Sequence, residues 1–314
     1  MNNILSEKEY QRFIIDQLTD KSTGYVERKA SSFDRFFAMD KEMLFKFLDD
    51  TQPDEMESLR KIYKSDLEAT IVNYINREAT KGSGSLLHVL KHGIEISNLK
   101  LNLMYTRPAT TFNKDLLAKY EKNIFSVMEE VWASDDERID LVIFLNGLAI
   151  MSFELKCNAA GQSYQDAIYQ YRTQRNPKTR LFWFKAGCLV NFAMDLEQVY
   201  MTTRLSGDST FFLPFNMGNG EGVNAGSGNP TFKDRYSVSY MWEDILQKDT
   251  VLDLISKFMF IRKKEKKDEL TGKTIKSEAL IFPRYHQLDV IRKLLADVKD
   301  NRTSQNYLIQ HSAG

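Results

Sequence analysis

The chain has little of several things, and each scarcity removes a class of function. Only two cysteines occur in 314 residues, Cys157 and Cys188. They are too few for a disulfide framework or a zinc site, so both read as buried thiols. No run approaches the ~20 consecutive apolar residues that a membrane-spanning helix needs, so no membrane association is expected. The opening "MNNILSEKEY" has no basic segment leading into an apolar one and does not read as a secretion signal. The cytoplasm is therefore the expected compartment. An excess of one charge is absent too: 43 basic and 43 acidic residues sum to zero. That balance argues against a small DNA-coating protein but leaves room for a nucleic-acid enzyme with a local basic groove.

What is present describes a soluble globular chain. Hydrophobic residues make up 42% and charged residues 27%, and 20 Phe with 14 Tyr can fill large cores. The length predicts two domains, or one and part of another. The first hundred residues read mostly as helices. Ser6 and Glu9 form a capping box, a helix begins near Asp40 with Leu44, Phe47 and Leu48 inward, and Ser65 with Glu68 repeats the capping pattern. "KGSGS" breaks the chain before a short helix ending at Gly93, and Leu99, Leu101, Leu103 and Tyr105 then alternate as in a strand. A helical piece from Asn113 to about Lys122, three strand candidates, a helix over 162–174 and further strands in "GCLVNFAM" and "EQVYMTTRL" follow. This order belongs to an α/β fold with a mixed sheet flanked by helices. Asn216–Pro230 holds 5 of the 15 glycines and reads as a long surface loop. "YMWEDILQ" and "VLDLISKFMF" read as helices, and the charged run from Arg262 to Glu278 as a linker or a solvated hairpin.

The chemistry concentrates in "IDLVIFLNGLAIMSFELK", two apolar strand candidates that carry Asp140, Glu154 and Lys156. Hydrolysis of a phosphodiester calls for a hard cation on oxygen ligands and a group that acts on water and phosphate. Two carboxylates and one lysine are a minimal set for that task. Glu154 and Lys156 are two apart and share a strand face. A plain two-residue turn at Asn146-Gly147 pairs 145 with 148 and sets Asp140 opposite Phe153, on the wrong face. A three-residue loop, or a compensating bulge, sets Asp140 opposite Glu154 instead, with carbons ~4.5–5.5 Å apart. The alternative is an ordinary ion pair. Both strands look covered on both faces, however, and unpaired charge there is costly. Arg172, Arg175, Lys178 and Arg180, with Tyr171 and Trp183 nearby, read equally as phosphate contacts or as a solvated helix end.

A D…E-x-K hairpin followed by a glutamine-bearing helix resembles the PD-(D/E)xK restriction-endonuclease core. More closely, "DLVIFLNGLAIMSFELK", "DAIYQYRTQRNP", "VYMTTRL" and "FLPFN" resemble the N-terminal nuclease domain of the restriction (HsdR) subunit of type I restriction–modification enzymes. The resemblance implies Mg²⁺ on Asp140 and Glu154, with Lys156 acting on water and phosphate. A Gln-x-x-x-Tyr element is expected on the next helix. Gln165 and Tyr169 fit it literally, while Gln170 stands in the better-matching context and is preferred, although Gln174 replaces the tyrosine. An added acid from the first helix would be Glu7 or Glu9, the latter already engaged as a cap.

"FPRYHQ" resembles the adenine-recognising motif of superfamily 2 helicase-like motors, which implies Gln287 and Arg284 near an adenine. The local alternative is a helix start. "YLIQHSAG" reads as a buried strand entering a phosphate-binding loop whose Gly-Lys-Ser/Thr is not in this sequence. The expected organisation is an endonuclease domain with a helical N-terminal part over 1–260, a linker over 261–278 and the truncated start of a RecA-like helicase domain over 279–314. Residues after about 280 should then be poorly ordered or packed opportunistically. The resemblance implies a type I site-specific deoxyribonuclease acting on double-stranded DNA, with methyltransferase and specificity subunits as partners and ATP used by the full-length protein. The competing readings are a docking module whose nuclease site is inactive, and the nuclease part of a DNA repair helicase.

Overall fold

A computed structural model describes residues 4–220, 226–267, 274–301 and 306–309. Helices α1 (Glu7–Thr19), α2 (Lys41–Thr51), α3 (Pro53–Tyr63), α4 (Leu67–Thr80) and α5 (Leu86–His92) build the first part, with a short strand β1 (Val26–Glu27) between α1 and α2. Ser6 and Glu9 close the capping box on α1, and Asp40 caps α2 through Met43 N. The cap expected from Ser65 and Glu68 does not form. Residues 64–66 wind into a 3-10 turn instead, and α4 starts from Asp66 with no side-chain cap. Leu99 and Leu101 do enter a strand, but only a short one: β2 (Ile94–Ile96) and β3 (Leu99–Leu101) form a separate hairpin.

Helix α6 (Lys114–Glu121), capped by Asn113, leads into β4 (Phe125–Trp132), β5 (Arg138–Leu145) and β6 (Leu148–Leu155). Helix α7 (Tyr164–Thr173) then precedes β7 (Val190–Met194), β8 (Val199–Thr202) and β9 (Leu213–Pro214). The seven strands lie in the order β1-β4-β5-β6-β7-β8-β9, with β1–β4 and β6–β7 parallel and the remaining pairs antiparallel. The expected mixed sheet is therefore present. β6 is buried along its whole length and β5 everywhere but Arg138. One face meets a large core that includes Ile14, Phe47, Ile143 and Phe153, and the other meets a smaller one with Ala167, Tyr171, Val142 and Phe144.

The β5–β6 connection is a two-residue turn, not the longer loop. Asn146 and Gly147 both have positive φ, 50° and 79°, as a hairpin turn of this length requires. The turn pairs Leu145 with Leu148 and Phe144 with Ala149, yet Ile143 pairs with Met151. Ile150 is thus the extra residue of a bulge, and its carbonyl accepts from Leu189 N at 2.8 Å. Beyond the bulge the register continues through Leu141–Phe153 and sets Asp140 opposite Glu154.

The last third follows the expected elements with one local difference. The two helical segments contain π-helical turns, Met241–Ile245 and Leu254–Phe258, around α8 (Lys248–Asp253). The charged run takes its hairpin form, β10 (Phe260–Lys267) with β11 (Thr274–Ile281). The 216–230 loop is tied at its base by Gly218 N to Gly228 O at 2.8 Å, and its residues 221–225 lie outside those described. Of the two expectations for the chain after 280, the described residues show packing at its start: Phe282 and Leu288 are buried, and Tyr285 packs edge-on against Tyr240 at 5.1 Å. Helix α9 (Tyr285–Asn301) is further held by Arg292 on Asp244 at 2.8 Å. Its apolar contacts use aromatics already in the sheet's core, so neighbouring motor strands are not needed to order it. Tyr307–Ile309 are exposed and form no strand, while the rest of that expected strand lies outside the described residues.

The turn is pinned to α2: Gly147 O accepts from Asp40 N at 2.7 Å. A Cβ on Gly147 would stand 2.3 Å from Asp40 O and 2.6 Å from Leu44 N. Gly147→Ala is expected to cost on the order of 3 kcal/mol in denaturant unfolding. Gly161, at φ +78° with open space around it, supplies the control, and its alanine variant should lose only about 1 kcal/mol. Equal losses would mean that backbone strain alone, and not the docking of the turn on α2, sets the cost.

Candidate active site

The bulge makes the candidate site by bringing two strand-borne acids to one place. Asp140 is 6% exposed, Glu154 0% and Lys156 2%. Each has a different partner. Asp140 Oδ2 accepts the backbone N–H of Leu155 at 2.7 Å. Glu154 Oε1 accepts from Arg175 Nε at 2.7 Å. Lys156 Nζ, at the end of β6, donates to Glu7 Oε2 at 2.7 Å, and Glu7 lies in the first turn of α1. Glu9 instead accepts the N–H groups of Leu5 and Ser6, so of the two acids considered on that helix Glu7 is the one at the site.

Burial and like charge push Asp140 well above the usual carboxylate range. Desolvation is the larger cause and the neighbouring Glu154 the next, with the Leu155 N–H pulling the other way. Glu154 is also raised by burial, with Arg175 and then Lys156 drawing it back. Two acids raised together beside one lysine form a site that favours gaining positive charge, as a proton or as a cation.

Helix α7 supplies the second wall. Ser163 and Asp166 cap it with a capping box. Ala167, Tyr171 and Arg175 follow at i, i+4 spacing and face the sheet. Tyr171 Oη lies 2.8 Å from Ser152 Oγ, which donates to Asn191 Oδ1 at 2.7 Å, so the tyrosine is the donor in the first contact. Gln170 Oε1 is buried without a hydrogen-bond partner, and so is Glu154 Oε2. Gln165 and Tyr169, the literal match to the expected element, lie on the outer side, with Tyr169 61% exposed. The arrangement therefore sides with Gln170 as the inward residue.

Arg175 was weighed in the sequence only as part of a basic cluster, and its pairing with Glu154 was missed. The signal was its i, i+4 spacing from Tyr171. Arg175 also donates to Arg138 O at 2.9 Å, Arg172 to Thr210 O at 3.0 Å and Arg180 to Asn76 Oδ1 at 3.1 Å. Three of the four cluster residues thus spend their charge on the protein. Arg284 and Gln287 stand elsewhere, at the start of α9, where Arg284 N donates to Gln287 Oε1 at 3.0 Å and caps the helix.

Among the described residues no group of three or more His, Cys, Asp or Glu side chains could hold a metal ion. A nitrogen- or sulfur-rich metal centre is not what these residues offer. Two carboxylates with an unpartnered oxygen on one of them, and an unpartnered amide oxygen on the following helix, suit a hard cation that keeps most of its waters.

Residues 4–210 match the family model of the type I restriction enzyme R protein N terminus. That span is about two thirds of the chain, includes the whole carboxylate hairpin and α7, and shows that the chain belongs to this family. No curated protein matches it. No described helix is long and apolar enough to cross a membrane.

A raised carboxyl pKa works against stability as pH rises. The protonated form is favoured in the fold, so its contribution is complete below the ordinary Asp range near 4 and is lost as pH climbs through the raised value. Asp140→Asn keeps an acceptor for Leu155 N and removes the charge. In metal-free buffer at pH 8 it should stabilise the protein by about 1–3 kcal/mol, with the gain fading toward pH 4. Glu154→Gln should not stabilise, because it strands Arg175. Chemical denaturation of both variants against pH checks this, and a destabilised Asp140→Asn at pH 8 without metal would overturn it.

Proposed function

We propose that this family member is the metal-dependent DNA endonuclease part of a type I restriction enzyme's R subunit, with a PD-(D/E)xK site at the β5–β6 hairpin. The observation that carries the reading is the fully buried, unpartnered Glu154 Oε2 beside an Asp140 that the bulge sets opposite it. A buried carboxylate oxygen with no donor is expensive, and a cation on both acids removes that cost. In this reading Asp140 and Glu154 hold Mg²⁺, which when bound would neutralise phosphate charge and lower the pKa of a coordinated water. Gln170, whose Oε1 is buried without a partner, is the residue this reading adds from α7.

Lys156 supplies the protein's own electrostatic stabilisation. Its ammonium has three N–H donors and Glu7 takes one, which leaves others for a phosphoryl oxygen or the attacking water. Glu7 and the Lys156 main chain, whose N–H donates to Met194 O at 2.9 Å, fix where that ammonium points. Arg175 holds one Glu154 oxygen and so presents the other. The substrate of the full-length subunit in this reading is double-stranded DNA, met with methyltransferase and specificity subunits and with ATP driving the motor. Arg284 and Gln287 are the adenine-side residues.

The docking-module alternative draws on the same geometry, since Glu154 with Arg175 and Lys156 with Glu7 are paired without metal. The full-length subunit assembled with its partners separates the two. Lys156→Ala should lower DNA cleavage at least 100-fold while DNA-stimulated ATP hydrolysis stays at the wild-type rate. Mn²⁺ binding followed by electron paramagnetic resonance should disappear in Asp140→Asn. Cleavage that survives Lys156→Ala, with no Mn²⁺ bound by the wild type, would make the hairpin's charges structural and leave the docking reading standing.

A further inference from the structure

A half-open cavity of about 370 Å³ has no role in the chemistry above. Its walls come from two places: the end of α4 and the loop after it, at Lys81 and Gly82, and the segment after α7, at Lys178, Trp183 and Phe184, joined by Arg204. The frame is held by the protein's own bonds. Leu86 N donates to Lys185 O at 2.6 Å, and Gly187 N to Trp183 O at 2.7 Å. Arg180 crosses beneath, donating to Ala186 O at 2.5 Å.

Charge and shape point to one kind of ligand. Four cations line the cavity and no acid does. Lys81 and Lys185 are paired with Glu78 and Glu278 at its margin. Lys178 and Arg204 have no carboxylate partner among the described residues, so the cavity keeps positive charge. It also offers flat surfaces. Trp183 is 48% exposed, and the Arg204 guanidinium lies over the Phe184 ring at 4.6 Å from its centroid. Indole and guanidinium planes are what unpaired bases stack on, while lysines and arginines take the phosphates. A base within a duplex has both faces covered by its neighbours and cannot use them. The volume is in the range of a small-ligand pocket and admits no duplex.

We propose that this cavity holds an unpaired nucleotide of the DNA strand next to the one being cut, its base against Trp183 and the Arg204–Phe184 stack and its phosphate on Lys178. The assignment rests on the nuclease reading for its placement in the reaction. Lys178 is three residues from Arg175, which grips Glu154, so about 10 Å of chain at most separates the cavity wall from the arginine that holds the proposed metal ligand. That is a reach of a few nucleotides along a strand. The protein should therefore prefer DNA with unpaired nucleotides beside the scissile bond over an uninterrupted duplex.

The test measures binding in EDTA, which removes cleavage and metal from the readout. Fluorescence anisotropy of a labelled oligothymidylate of eight nucleotides should show binding weakened about 5- to 100-fold by Trp183→Ala and by Arg204→Ala. Trp183→Phe, which keeps a ring, should bind within about threefold of wild type and lose most of the tryptophan quenching seen on binding. Affinity for a blunt duplex of the same length should change little in all three. These side chains are exposed, and unchanged thermal melts will show that the variants fold. Wild-type affinity in both alanine variants overturns the proposal, as does oligonucleotide binding that fails while a free nucleoside triphosphate binds and is lost on substitution. Cleavage by Lys156→Ala reports on the nuclease assignment alone, so retained cleavage there would sink that assignment and leave the oligonucleotide result to be judged by itself.

Discussion

One extra residue, Ile150, governs where the charges of this protein stand. Side chains alternate along a strand with a period of two, so the tight Asn146-Gly147 turn alone would carry Asp140 to the face opposite Glu154. The bulge restores the parity. It is stable because its parts are satisfied. The Ile150 side chain is buried in the large core, and its carbonyl takes the Leu189 N–H just before β7. The turn itself is fixed from outside the hairpin. Asn146 accepts from Ile124 N at 2.7 Å and donates to Leu103 O at 2.9 Å, so chain before β4 and after β3 closes on it. The register therefore belongs to the tertiary structure and not to the hairpin alone.

From that register follows an electrostatic problem with an unequal solution. Three ionisable groups lie buried at one end of the hairpin, and burial penalises each charge. Glu154 is given an arginine and Lys156 a glutamate from α1, while Asp140 receives only a peptide N–H. The pairs do not make the site a stabilising feature. Buried ion pairs roughly balance their own desolvation, and an acid without a cation is a net cost. A fold that keeps such a cost at the junction of α1, β5, β6 and α7 spends stability on a place where positive charge is wanted.

The sequence displayed much of this and hid the rest for physical reasons. The apolar runs "LVIF" and "LAIMSF", the Asn-Gly turn and the capping box at Ser6 are local signals, and the elements they mark are where expected. The choice between a longer loop and a bulge was not local. It depended on Leu189 and on the Asp40 segment, distant in the chain, and both solutions satisfied the same parity. Arg175 hid for a similar reason. A basic residue past a helix end is usually solvated, and only the sheet beneath shows that this one turns inward to Glu154. Between disorder and packing for the tail the sequence did not choose, because Phe282, Tyr285 and Leu288 pack on Phe215 and Tyr240, partners distant in the chain. Ser65 lost its cap role because the chain needed a tighter turn between α3 and α4.

Burial alone would not have singled out the candidate ligands, since other acids are as deeply placed. Asp40 sits at the N-terminus of α2 with Arg28 on one oxygen and Met43 N on the other. Asp195 accepts Tyr164 N and Asn158 Nδ2 on one oxygen and Glu197 N and Gln198 N on the other. Glu137 takes Asn176 N, Thr179 Oγ1 and Ser134 Oγ, and so ties the segment after α7 to the start of β5. In each case both oxygens are occupied, which is what a carboxylate used as a structural tie requires. Glu154 is the exception, fully buried with one oxygen on Arg175 and the other on nothing. The distinction lies in unspent acceptor capacity. It separates acids that hold the fold together from one that the fold holds in readiness. It also explains why Arg175 matters: it takes one Glu154 oxygen and leaves the other as the unspent acceptor.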